Sequence, residues 1–157
     1  CVDFVGRIFR LKESMLKMII EKEFNISTNP KKIKDENGKE LKRYLEFEKF
    51  LEDNLDILNY LEKETNWNGR KEPNNRVLDW ILNYMVNSNK KKWKKYGKIN
   101  GFSKNLEKLA ELRNESILAH GFRGISKRDI IEKYNSNGDE EKIIKDLDEI
   151  KKHISEL

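Results

Sequence analysis

The chain has 157 residues, enough for one compact domain with a real core. Charged residues make up 39% and apolar ones 36%, but with 10% aromatic content the chain carries too many rings to be disordered. Its 33 basic against 28 acidic residues favour an anionic partner such as nucleic acid, one cysteine excludes an internal disulfide, and no apolar run reaches membrane-spanning length.

A single thiol and no secretory leader suit a reducing, cytoplasmic setting. A start at Cys1 and not Met reads as a piece of a longer protein, residues 1–157 being one domain with another expected before it. Two prolines and eight glycines favour helix throughout. In "CVDFVGRIFRLKESMLKMIIEKEF", Phe4, Ile8, Leu11, Met15 and Met18 recur in steps of four and three, the stripe of a helix. Val5, Phe9 and Ile19 widen it. "NISTNPKKIKDENGKE" shows no periodicity and reads as a mobile loop, either an excursion of no consequence or a lid on the substrate side.

"LKRYLEFEKFLEDNLDILNYLEKET" lines up Phe47, Leu51, Leu55, Leu58 and Leu61 and predicts a second long helix. After the turn "NWNGRKEPNN", Asn74 or Asn75 is placed to cap a short apolar helix, "RVLDWILNYMV". In "KKKWKKYGK", lysines surround Trp93, with Tyr96 one turn on. Two readings stay open: Lys91, Lys92, Lys94 and Lys95 meet RNA phosphates while Trp93 and Tyr96 stack on bases, or the loop is solvated and its aromatics enter the core. Ser103 is a candidate cap for "KNLEKLAELRNESILAH", and Gly121 for its end. "SKRDIIEKY" reads as a short helix. In the last segment Ile143, Leu147, Ile150, Ile154 and Leu157 again step by four and three. No run alternates with period two for long, so the expected class is all-α, a bundle of about four long helices plus short ones.

Arg113 and His120 are seven residues apart. At about 100° per residue both fall on one helix face, within about 20° of each other. Leu109, Leu112, Ser116 and Ile117 flank that line, and Glu107, Glu111 and Glu115 lie opposite. An arginine among apolar residues is costly unless paired. Spacing alone leaves two accounts: Arg113 pairs with a core carboxylate while His120 meets a carbonyl, or the face opens where an anion binds.

The string "LRNESILAHGF" resembles the Arg–polar–…–His signature of HEPN-domain ribonucleases. It is most similar to the C-terminal HEPN domain of the CRISPR-associated CARF–HEPN ancillary ribonucleases of type III systems. "GRIFRLKESMLKMI" is a weaker match to that domain's opening helix. The resemblance implies metal-independent cleavage of single-stranded RNA by attack of a 2′-hydroxyl, with no cofactor. Arg113, Asn114 and His120 are the implied catalytic residues, and Ser116 an optional helper. It also implies a homodimer with one composite site, no membrane, and cyclic oligoadenylate acting only through a CARF domain in the preceding sequence. A HEPN toxin of another defence system, or a non-catalytic helical adaptor that binds RNA or protein, are the alternatives. Two histidines 33 residues apart with one cysteine offer no metal ligand set, and His153 reads as a surface residue.

Overall fold

The computed structural model describes residues 2–120, 126–134, 139 and 141–157, with side chains over 4–111 of the first stretch. In chain order its elements are α1 (Val2–Phe24), β1 (Lys31–Lys34), β2 (Glu40–Arg43), α2 (Leu45–Asp53), α3 (Leu55–Glu64) and α4 (Asn75–Asn87). A 3₁₀ helix (Lys91–Tyr96) follows, then α5 (Gly97–His120), α6 (Lys127–Tyr134) and α7 (Lys142–Ser155). The class is all-α, as expected, with one small hairpin added. The chain divides into two compact units, Lys12–Lys94 on the one hand and Cys1–Leu11 with Lys95–Leu157 on the other.

In the unit Lys12–Lys94, α1 ends in a left-handed residue. Asn25 has φ 52°, and the Ile26 N–H reaches back to the Glu21 carbonyl at 3.2 Å, a Schellman closure with asparagine in place of glycine. The Glu21 carboxylate then accepts from both the N–H and the hydroxyl of Thr28, which anchors the outgoing chain. The predicted stripe of α1 holds at Val5, Ile8, Met15 and Ile19, which are buried, and fails at Phe4 and Leu11, which are exposed. Met15, Leu16, Ile19 and Ile20 are buried, whereas Leu11 is 43% exposed and Lys12 only 3%. Lys12 is buried because its ammonium lies 2.5 Å from a carboxylate oxygen of Asp79 on α4.

The expected loop after α1 is instead partly a hairpin. Strands β1 and β2 pair antiparallel, with Ile33 opposite Leu41. Asp35 closes the turn: its side chain accepts from the N–H groups of Asn37 and Lys39, and its carbonyl from Gly38. Gly38 takes φ +75°, the left-handed position of a three-residue hairpin loop.

The predicted second long helix is two helices broken at Asn54. The Asn54 N–H and side-chain amide both bond the Phe50 carbonyl, while its own carbonyl accepts from Leu58. That break resets the helical phase, so Phe47, Phe50, Leu51, Ile57 and Leu61 are buried and Leu55 is 63% exposed. Asn74, not Asn75, caps α4 by accepting from the Val77 N–H at 3.0 Å. This helix buries Val77, Leu78, Ile81, Leu82 and Met85. Apolar burial at about 25 cal/mol per Å² makes such a stripe the main stabilising term for a short helix.

In the other unit, α5 begins at Gly97, so Ser103 is an interior residue and not its cap. Ile99, Phe102, Leu106 and Leu109 form its buried stripe, facing α6 (Ile130, Ile131, Tyr134) and α7 (Ile143, Ile150). Ser126 and Asp129 cap α6 reciprocally. The Asp129 carboxylate accepts from the Ser126 N–H and hydroxyl, and the Asp129 N–H bonds the Ser126 hydroxyl. Gly121, the expected end cap of α5, lies outside the described residues.

Candidate active site and basic segment

Arg113, Asn114, Ser116 and His120 all fall in the last turns of α5, which continues unbroken to His120. Their side chains lie outside the described residues. The register of the helix is informative by itself. The buried stripe Ile99, Phe102, Leu106, Leu109 advances by three and four, and the same repeat counted onward reaches positions 113, 116 and 120.

Polar links hold α5, α6 and α7 together. The Tyr134 hydroxyl donates to Asp146 at 2.6 Å, and the Lys142 ammonium meets the same carboxylate. Asn105 of α5 hydrogen-bonds the Tyr134 hydroxyl as well. Burial, and then the Asp146 carboxylate, hold that hydroxyl well above the ordinary phenol range, so it stays protonated and donating. Lys98 of α5 reaches Glu149 of α7 at 2.6 Å, and Lys133 of α6 reaches Glu111 of α5 at 3.4 Å. The Lys98 hydrogen bond lowers the Glu149 pKa and raises that of Lys98, the mutual shift expected of an ion pair.

The six residues Lys91, Lys92, Trp93, Lys94, Lys95 and Tyr96 are the 3₁₀ helix itself. Trp93 and Tyr96 are each 2% exposed. The Trp93 indole N–H donates to Glu23 at 2.9 Å, and its ring packs near Phe24 and Tyr84. Stacking on RNA bases is therefore closed to both rings in this arrangement, and the reading that places them in the core replaces it. Apolar burial wins because the 3₁₀ turn sets residues three apart on one side. The lysines stay outside. Lys92 sits 3.5 Å from Glu23, the Lys94 ammonium donates to the Val86 carbonyl at 2.7 Å, and Lys95 lies over the Tyr96 ring.

His153 is half-buried, its Nε2 2.6 Å from the Lys95 carbonyl. A carbonyl only accepts, so that nitrogen carries the proton, and the ring pins α7 to the end of the 3₁₀ helix. Among the described residues no three His, Cys, Asp or Glu side chains gather as a metal site, and no helix is long and apolar enough to cross a membrane. The hairpin's lysines carry no motif in the sequence, although "KIK" and "ELK" around Asn37-Gly38 alternate as short strands do.

The Cas_Csm6 HEPN domain family matches residues 1–156. No curated protein and no solved structure matches the chain. The family match spans both compact units and takes in the helix that carries Arg113 and His120. This chain belongs to the Cas_Csm6 HEPN domain family and is a HEPN domain of CRISPR-associated ribonucleases.

Proposed function

We propose that this domain cuts single-stranded RNA without a metal ion, through a composite site in which two copies each contribute Arg113, Asn114 and His120. What carries the reading is one unbroken helix that holds an arginine and a histidine two turns apart, within a chain of a ribonuclease family. His120 takes the proton of a 2′-hydroxyl as that oxygen attacks the adjacent phosphorus. The bond from phosphorus to the 5′-oxygen breaks, and that oxygen gains a proton, delivered by the partner copy's imidazole or by water. The products are a 2′,3′-cyclic phosphate and a 5′-hydroxyl. Arg113 stabilises the charge that builds on the non-bridging oxygens. Asn114 orients the guanidinium or a phosphate oxygen, and Ser116 is an auxiliary polar group.

One arginine and one histidine make a sparse site. A twofold contact supplies the second set, because an isologous interface brings the same helix face from both subunits together. We further propose that cyclic oligoadenylate activates the protein through a CARF domain outside this sequence, and that it acts in the cytoplasm.

The test is His120→Ala. Loss of a general acid–base group lowers the cleavage rate by about 10²- to 10⁴-fold. The helical circular-dichroism spectrum and the dimer mass stay as in the unaltered protein, and EDTA leaves cleavage by that protein unchanged. RNA cutting undiminished in the variant overturns the assignment.

A further inference from the structure

The hairpin holds a concentration of charge that neither its own fold nor the proposed active site uses. Its register sets Lys31 opposite Arg43 and Lys32 opposite Lys42. Residues directly opposed in an antiparallel pair share a face, and like charges so placed destabilise the ribbon. Lys32, Lys34 and Lys42 stand on one face with Glu40 as the lone acid, and every one of them is exposed. Lys32 takes Glu40 as its diagonal partner at 3.1 Å, and Arg43 is held bidentately by Glu48. Among the described residues Lys31, Lys34, Lys39 and Lys42 have no acidic partner. Asp35, the nearest acid in the turn, spends its side chain on backbone N–H groups.

We propose that this hairpin is a backbone-tracking arm that binds the phosphates of a single RNA strand through Lys32, Lys34 and Lys42, the three lysines of one face. The proposal rests on the RNA-cutting reading above for the identity of the strand. Charge complementarity argues for it: opposed lysines that weaken a ribbon by itself are stabilised when an anionic polymer lies across them. Lysines two apart on a strand stand about 7 Å apart, so they can engage separate phosphates of an extended chain. The basic face carries no aromatic or aliphatic side chain to stack on a base or wedge into lipid. The ribbon's apolar pair, Ile33 and Leu41, lies on the opposite face. The arm is therefore indifferent to base sequence and sensitive to salt.

The experiment uses a fluorescent oligoribonucleotide whose 2′-hydroxyls are methylated, so that it binds without being cut. The variant Lys32→Gln/Lys34→Gln/Lys42→Gln is compared with the unaltered chain by anisotropy across a salt series. Expected are binding about tenfold or more weaker at low salt, and a plot of log K against log salt flatter by about 2, from about 0.7 per lost phosphate contact. The Arg-for-Lys version of the same triple variant keeps the charge and restores binding, which separates loss of charge from loss of fold. Unchanged affinity and slope overturn the arm, as does a loss confined to anionic phospholipid vesicles. Cleavage of unmodified RNA is read separately. If the unaltered chain cuts and the triple variant binds like it, the arm fails and the nuclease stands. If neither cuts but the triple variant loses binding, the arm stands and the nuclease fails.

Discussion

Two lysine-rich stretches of this chain look alike on paper and differ in three dimensions. In Lys91–Tyr96 the aromatics between the lysines enter the core, and the ammonium groups of Lys92, Lys94 and Lys95 lie over rings or beside a carbonyl and a carboxylate. In the hairpin the residues between the lysines are one half-buried isoleucine and one leucine, and most of the ammonium groups face water alone. The difference teaches that lysine density does not mark a binding surface. What the intervening apolar residues do decides whether the charge is part of the packing or available to a ligand.

The most disruptive way to test that contrast is to empty the first stretch. Trp93→Ala removes a buried ring and its bond to Glu23, and should lower stability by about 3–5 kcal/mol, measured by urea denaturation. A midpoint that does not move puts the ring on the surface and revives base stacking.

Lys12 takes the contrast to its limit, as a lysine wholly inside. Lys12→Ala leaves Asp79 with its cation removed at a site mostly closed to water, at a cost of about 3 kcal/mol or more by the same measurement. Replacing both partners, Lys12→Met with Asp79→Leu, should recover most of the loss, because two matched apolar groups need no pairing. A double variant as unstable as the single one shows that packing, and not the carboxylate parted from its lysine, sets the cost.

The smallest effect has the opposite sign. Lys42→Gln relieves the repulsion with Lys32 and should raise the stability of the hairpin by a few tenths of a kcal/mol, on the scale of about 0.2–1 for cross-strand pairs. Hydrogen exchange of the strand amides reads it. Slower exchange in the variant supports a ribbon whose charge serves something other than its own folding, and faster exchange argues that Lys42 is structural.

These residues also show what could be read beforehand. The helices α4 and α7 were legible because their stripes are apolar and uninterrupted, and the cap at Asn74 was one of two candidates named. The stripe of α1 is only partly legible, because counting apolar residues finds Ile8 and Met15 but cannot see Lys12, a charge made inward by a partner 67 positions away. The break at Asn54 was hidden since Leu55 and Leu58 keep the spacing of an intact helix. Four-residue strands offer too few alternations to register, although Asp35 and Gly38 carry the turn chemistry. Of the candidate site, the motif residues and their helix came from local sequence. In sequence Trp93 and Tyr96 admit two roles, because amphipathic rings suit both a core and a stack, and only the packing distinguishes them.

The hairpin has just two strands, so among the described residues each of them has an outer rim of peptide groups with no neighbouring strand. Such a rim is a template for another chain to zip onto. The lysines that line both strands make two copies of the ribbon repel one another. They thereby guard against self-association in a crowded cell, and exchanging them for β-branched apolar residues would make it prone to aggregate.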